Sequence, residues 1–280
     1  MTATLPDRAE PVVARPPGRG ASLRAVVRRG LRDGRRTVLS WGAPLGVMGA
    51  LMAAVWPTIE DSMSTLMDSY PAQLKQAFNI TSITSVEAYV DAEMLSFIVP
   101  LAVAFLAIRT VVRTLTGAEE RGYLDIILTA PVARRTLVAG AVIVAGAVTA
   151  GVLAMVTVTT WLAGTLVGAD PSMAVLARGF ANVWPLAMLF AGLAVLASGR
   201  LHSGSPVTAV AAGTLIGMYV LDLVGKLASP LDPMRAVSAF KYYGSAIQNG
   251  IDPVAFCGIL LVALILAVAG AMLFERRDVL

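Results

Sequence analysis

The strongest constraint on this chain is a series of long apolar runs that contain no charged residue. A bilayer core of about 30 Å needs about 20 helical residues, so the runs predict six transmembrane helices. They lack the strict alternation of a membrane β-barrel. Only 14% of the residues are charged, against roughly 25% in soluble domains. The runs are Val38–Pro57, Met94–Ile108, Leu137–Val167, Val183–Gly199, Pro206–Leu221 and Val254–Phe274. The sequence therefore predicts an all-α integral membrane protein.

The segments around these runs have their own character. Residues 1–21 are rich in Pro, Gly and Arg, which predicts a disordered basic tail. In residues 22–37, apolar side chains recur at helical spacing opposite arginines, which predicts an amphipathic helix on the membrane surface that leads into the first span. Residues 38–280 would form the six-helix transmembrane domain. Its stretch before the last span, "LASPLDPMRAVSAFKYYGSAIQNGIDP", is too apolar for a solvated loop and too broken to span, so we expect short re-entrant or interfacial helices there.

The distribution of positive charge predicts the orientation of the chain. Most of the 22 lysines and arginines lie in the N-terminal tail, between the second and third spans, and at the C-terminus. By the positive-inside rule, both termini and the connection between the second and third spans face the cytoplasm. Six spans are consistent with this, since they return the chain to its starting side. The excess of arginine over lysine, with many Ala, Val and Gly residues, is typical of a bacterial genome, and the expected location is the bacterial plasma membrane.

One charged stretch separates two of the most apolar runs. In "AEERGYLDIILTAPVARRTL", residues 118–137, Tyr123, Ile126, Ile127 and Ala130 recur on one helical face, and Pro131 ends the helix. Acids stand at its start, and arginines follow its end. Such a helix can dock into a groove on a soluble partner or lie on lipid, and the residues alone favour neither reading.

Several residue types exclude other functions. No G-x-x-x-x-G-K-[ST] motif is present, so we expect no ATPase site on this chain. Glu119 and Glu120 begin the Glu-Glu-x-x-x-Arg motif of intramembrane metalloproteases, but Leu124 stands where the arginine should be. One histidine cannot build a multi-histidine zinc site, and we expect no catalytic residue and no metal. The basic charge follows from membrane topology and anionic lipid, and it predicts no nucleic-acid partner.

Two further sets of residues are candidate sites. Gly42, Gly46, Ala50 and Ala54 form a stripe of small residues in the first span, which lets helices approach closely within the chain or across a dimer. Asp222 is the one acid inside an apolar run. A proton or cation site is one interpretation, and an ion pair with Lys226 at i+4 is the favoured one, because the helix brings Asp222 near the outer interface.

The stretch at residues 118–137 also carries a resemblance. Its order of two acids, Arg, Gly, aromatic, Leu, acid, aliphatics and Pro-x-x-Arg-Arg resembles the coupling segment of type 2 ATP-binding cassette (ABC) permeases. The six-span plan, the amphipathic leader, the segment before the last span and the ending "FERRDVL" are similar to that family as well. The resemblance covers roughly residues 22–280. Tyr123 departs from the more usual threonine.

The resemblance implies a membrane-spanning permease subunit of an ABC exporter. It implies a coupling helix that contacts a separate ATPase, two copies of that ATPase with ATP-Mg, and a second permease chain, most simply a homodimer in which first and fifth spans meet. The small stripe would then lie at the dimer interface. A drug, antibiotic or lipid is the expected substrate. The implied coupling residues are Glu119, Glu120, Gly122, Tyr123, Asp125, Ile126, Pro131 and Arg134.

Two alternatives stay open. An ion-coupled secondary transporter would use Asp222 and need no ATP. A membrane module without transport activity would tether an ATPase or sense a ligand through its acidic outer loop. Neither has a motif comparable to the stretch at residues 118–137.

Overall fold

The six-span, all-helical prediction is confirmed. A computed structural model of the protein describes residues 19–69, 85–116 and 133–275, and every regular element in these ranges is a helix. Six helical stretches in the described ranges are long and apolar enough to cross a membrane. We number them spans 1 to 6: Leu23–Glu60, Val86–Leu115, Arg134–Leu166, Met173–Ser198, Gly204–Leu227 and Pro253–Glu275.

Several spans combine more than one helical element. Span 1 lies within the helix Arg19–Ser69, which has 51 residues. At about 1.5 Å per residue this helix is about 75 Å long, so it extends beyond a 30 Å core at both ends. Span 2 consists of Val86–Val90, a π-helix at Asp91–Ile98, and Val99–Leu115. Span 4 joins Met173–Ala181 to Val183–Ser198. Spans 3, 5 and 6 are each one α-helix.

The bundle has two ends, which we name by what they hold. Six successive spans reverse direction each time, so the start of span 3 lies at the same end as the termini. The terminal face holds Leu115, Arg134, Ser198, Gly204 and Glu275. The cap face is the opposite end, where residues 228–252 connect spans 5 and 6. We call these residues the cap segment.

Spans 1 and 3 run parallel to each other in close contact. A methyl group added at Gly42 would lie 2.7 Å from Sδ of Met155, and one at Gly46 would lie 2.6 Å from Oγ1 of Thr159. Span 3 also has a glycine at this contact, since a methyl group added at Gly151 would lie 3.1 Å from the side chain of Val38. Small residues allow such close helix packing where water provides no driving force. Part of the predicted small stripe therefore faces span 3 within the chain.

The amphipathic stretch at residues 22–37 is helical and forms the first part of span 1, continuous with the apolar run that follows it. Its apolar face packs along the first half of span 3, where Val26 closely approaches Gly140 and Val144 closely approaches Gly30. Its arginines are exposed on the other face: Arg24, Arg28, Arg29, Arg32, Arg35 and Arg36. Contact of this basic face with lipid headgroups stays a prediction.

The core of the bundle is formed mainly by spans 2, 3 and 4. The largest fully buried side chains include Leu106 and Ile108 of span 2 and Phe180 and Phe190 of span 4. Span 6 packs against span 4 with almost no space between the backbones. A methyl group at Gly192 would lie 2.5 Å from the carbonyl oxygen of Ala263. Spans 1, 5 and 6 are the least buried, so they present most of the surface available to lipid or to another chain.

The cap segment folds as a chain of short helices. A 3-10 helix at Ser229–Val237 is followed by α-helices at Ala239–Tyr243 and Ala246–Asn249. Gly244 and Gly250 end the two α-helices with φ of 56° and 82°, a region that glycine adopts without strain. The short helices predicted before the last span are therefore present.

Candidate functional site

The cap face carries a polar cluster built on Asp91, the first residue of the π-helix in span 2. Only 4% of Asp91 is exposed. Its carboxylate accepts hydrogen bonds from the Ser245 hydroxyl and, at 3.1 Å, from Nε2 of Gln248. Both donors are neutral and belong to the cap segment. A buried carboxylate is costly unless it is hydrogen-bonded, so these two contacts tie the cap segment to span 2.

A second contact to the π-helix follows from Pro100. Val99 donates its N–H to the carbonyl of Met94, and Pro100 has no N–H to donate. The carbonyl of Leu95 is thus left without its helical donor, and it accepts instead from the Tyr243 hydroxyl at 3.1 Å. Burial, and then the charge of Asp91, raise the pKa of Tyr243 well above its ordinary value. The hydroxyl therefore keeps its proton and remains a donor.

Span 4 holds the same part of the cap segment through its carbonyl groups. Arg178 donates to the carbonyl of Ile247 at 2.9 Å, and Asn182 donates to the carbonyl of Tyr243 at 2.7 Å. Two short helices leave several carbonyls without intrahelical partners. Side chains of the bundle thus replace the hydrogen bonds that such short helices cannot make themselves.

Span 5 holds the beginning of the cap segment through an ion-pair network. Asp222 is 3% exposed; Lys226 Nζ lies 2.9 Å from its Oδ2, and Arg235 Nε lies 2.9 Å from its Oδ1. Arg235 also contacts Asp232 at 2.7 Å. Burial lowers the pKa of Arg235, but its hydrogen bonds and charge interactions with Asp232 and Asp222 outweigh burial and raise it. Each oxygen of the Asp222 carboxylate therefore has a cationic partner.

These contacts surround a cavity of about 110 Å³ between span 2, span 5 and the cap segment. Aromatic rings close one side of it, with Tyr219 and Phe240 edge to face at 5.4 Å. The polar lining combines carboxylates, cations and hydroxyls: Asp91, Ser96, Asp222, Lys226, Arg235, Lys241, Tyr243 and Ser245. Among the described residues, no group of three or more His, Cys, Asp or Glu side chains that could hold a metal ion comes together.

The terminal face ties span 3 to the end of span 6. Arg134 donates to the carbonyls of Phe274 and Glu275 at 3.3 and 3.4 Å, and Arg135 forms an ion pair with Glu275. Arginine at this position suits the carbonyl end of a helix, which carries partial negative charge. Span 3 therefore begins in direct contact with the last helical turn before the C-terminal tail.

The chain is similar to a known family of membrane permeases. The family model described as "Multidrug efflux system permease Rv1217c, C-terminal domain" matches residues 23–275. The chain belongs to this family. The permease is thus a multi-pass membrane transport subunit rather than an enzyme. No curated protein matches the chain.

Only some of the predicted site residues of the permease lie in the part of the chain that the structure describes. Of the implied coupling residues, Arg134 is described, and its guanidinium contacts span 6. The others lie outside the described residues: Glu119, Glu120, Gly122, Tyr123, Asp125, Ile126 and Pro131. In the small stripe, Gly42 and Gly46 are buried against span 3, whereas Ala54 is exposed. A dimer interface on span 1 stays a prediction.

Reasoning from the sequence missed the residues that organise the cap face. Asp91 precedes the apolar run Met94–Ile108, so hydropathy places it with the acids of the outer loop and not in the second span. Arg235 and Tyr243 lie in an irregular segment whose contacts have no sequence periodicity. The available signal was Pro100, since a proline inside a helix leaves a carbonyl that another group must satisfy.

Proposed function

We propose that the permease is the membrane-spanning subunit of a type 2 ABC exporter that carries drug-like molecules out of a bacterial cell. Its match to an efflux permease family over residues 23–275 is the observation that supports this most strongly. The acid-rich helix pattern followed by Pro-x-x-Arg-Arg adds the expectation of a separate ATPase. In this proposal both termini are cytoplasmic, and ATP-Mg binds to the partner and not to this chain.

We infer that the ATPase contacts residues 118–135. Movement of this segment would reach two places, because Arg134 stands both at its end and at the start of span 3. The contacts of Arg134 with the last carbonyls of span 6 would pass the displacement to that helix as well. We therefore expect spans 3 and 6 to be the first spans that move when the ATPase binds ATP.

A second copy of the permease is the other proposed partner. The family description names a C-terminal domain, so a six-span unit is one part of the permeases it describes. Gly213 and Gly217 lie on an outward face of span 5, where an added methyl group would meet nothing within 4 Å. Exposed glycines weaken a helix and gain nothing from packing in this chain. We propose that they face span 5 or span 1 of a second copy.

Acid substitutions in the coupling segment test this function. Glu119→Ala and Asp125→Arg should lower ATP-driven efflux roughly 5- to 150-fold, the range of typical coupling free energies. Glu60→Ala is the matched control, since Glu60 is an exposed acid at the other end of span 1. Efflux of a fluorescent drug from cells that express the permease with its ATPase gives the readout. Undiminished efflux in both coupling variants would refute the assignment.

A further inference from the structure

We propose that an apolar groove on the outside of the bundle binds one acyl chain of a membrane phospholipid. The groove lies between spans 3, 4 and 6 and has a volume of about 450 Å³. Its lining residues come from 150–158 of span 3, from 173–184 of span 4, and from Phe256 at the start of span 6. We call it the lateral groove. It shares no lining residue with the polar cavity at the cap face.

Small side chains create the lateral groove. Alanines line it at a spacing of four residues, Ala150 and Ala154 on span 3 and Ala177 and Ala181 on span 4. Residues four apart lie on one face of a helix, so each span presents methyl groups where larger side chains would fill the space. All four alanines are exposed. The groove therefore opens to the outside of the bundle and not into its core.

The described residues that line the lateral groove offer an occupant no free hydrogen-bond donor. Its two donor side chains, Thr157 and Trp184, are both satisfied within the bundle. The Thr157 hydroxyl donates to the carbonyl of Leu153 at 2.8 Å, and Trp184 Nε1 donates to the carbonyl of Gly146 at 3.0 Å. Sites for drug-like molecules include a few polar groups that fix the orientation of the ligand. The lining therefore fits a hydrocarbon chain better than a drug-like molecule.

The volume of the lateral groove matches one acyl chain. An apolar cavity of about 150 Å³ binds benzene, which has six carbon atoms. By that measure the groove, at about 450 Å³, holds roughly 18 carbon atoms, the size of a common fatty acyl chain. A helix of a second copy is too large for this space. Along residues 150–158, about 12 Å of span 3, a helix about 10 Å across would occupy roughly 900 Å³.

The lateral groove is continuous with the lipid-facing surface of spans 3 and 6. Val158 and Leu162 on span 3 are 49% and 48% exposed, and Val254 at the start of span 6 is 81% exposed. Lipid tails are as apolar as leucine, so polarity gives no preference between a tail and a side chain at this surface. A tail in the groove gains van der Waals contact with three spans, whereas a tail on a single helix contacts one face. The groove therefore retains an acyl chain from the surrounding bilayer.

Trp184 is the reporter for this site, because its side chain lines the lateral groove. The chain has four tryptophans, and replacing Trp41, Trp56 and Trp161 with phenylalanine leaves only the indole of Trp184. The full chain is reconstituted into vesicles of phosphatidylcholine whose acyl chains carry bromine near their middle, or into unbrominated phosphatidylcholine. Bromine quenches indole fluorescence only at short range, so the ratio of the two emissions measures how closely an acyl chain approaches Trp184.

We expect brominated lipid to quench Trp184 strongly in the parent. Ala154→Phe and Ala181→Phe each place a ring in the groove from opposite walls, so each should lose most of this quenching. Two variants keep the test valid if one of them does not fold. Ala174→Phe is the matched control, since Ala174 is also an exposed alanine of span 4 but does not line the groove. It should be quenched like the parent.

An unquenched Trp184 in the parent would overturn the acyl-chain site, and so would equal quenching in the parent and in the folded groove variants. The same loss in Ala174→Phe would show that the effect does not come from the groove, and the proposal would fail. If ethidium quenches Trp184 and brominated lipid does not, the groove takes a drug-like molecule instead. If the groove variants lose a cross-linked dimer that the parent forms, a second copy occupies it. Each of these results is obtained without ATP or the ATPase, so it is independent of the proposed function.

Discussion

At the scale of residues, two buried carboxylates with different partners define the cap face. The i, i+4 spacing is enough to anticipate Lys226 beside Asp222, because helix geometry fixes it. Arg235 reaches the same carboxylate from an irregular segment, and nothing in the sequence specifies that approach. Asp91 is the harder case, since its burial depends on Ser245 and Gln248, which lie more than 150 positions away. A local sequence pattern cannot predict hydrogen bonds between residues that are so far apart in the chain.

Asp222→Asn should destabilise the folded permease by about 2 to 4 kcal/mol, because it leaves two largely buried cations without their counter-charge. Thermal unfolding of the purified protein in detergent measures the loss. The control is Asp232→Asn, whose side chain is 54% exposed and which should cost less than about 1 kcal/mol. Equal stability of the two variants would contradict a structural role for Asp222.

The same substitution separates the ion-coupled alternative from the proposed function. If Asp222 carried a coupling ion, Asp222→Asn would abolish gradient-driven transport in protein that is still folded. Because the side chains of Lys226 and Arg235 each contact one oxygen of the Asp222 carboxylate, we favour the structural role. Transport that persists in the folded variant, scaled to the amount of intact protein, is the expected result.

At the scale of elements, the apolar runs determine which stretches become helices. A run of sufficient length has no other stable form in a bilayer, because every backbone group must bond within its own segment. The ends were less predictable. The spacing of apolar residues predicts the helix at residues 22–37 ahead of the first apolar run, but it does not predict that the apolar side of this helix packs against span 3. The π-helix in span 2 was not predicted, since it depends on Pro100 together with Tyr243.

Leucine at two glycines should distinguish packing within the chain from contact between chains. Gly270→Leu should cost about 3 kcal/mol or more, because even a methyl group there would lie 2.6 Å from the backbone of Leu196 in span 4. Gly213→Leu should change monomer stability by less than about 1 kcal/mol, since its outward face is open.

Chemical cross-linking in membranes gives the second readout of this pair. Gly213→Leu should reduce the yield of cross-linked dimer while the chain stays folded. An unchanged dimer yield would remove span 5 from the proposed interface between two permease chains.

At the scale of the whole molecule, the fold is a six-span bundle in which polar side chains connect separate elements at each end. The terminal face joins the start of span 3 to the end of span 6 through Arg134, and the cap face is covered by a segment held by hydrogen bonds and an ion-pair network. The six spans could be predicted from hydropathy alone. The coupling residues came from a resemblance at residues 118–135, and all of them except Arg134 lie outside the described residues, so their role depends on experiment.

ATP-driven transport in a defined system tests the central claim most directly. The purified permease is reconstituted into vesicles with and without its ATPase, and movement of a fluorescent drug is followed after ATP-Mg is added. We expect transport only when both proteins and ATP-Mg are present, and loss of that transport in Asp125→Arg. Transport by the permease alone, driven by an ion gradient and indifferent to ATP, would contradict the claim that a separate ATPase drives this chain.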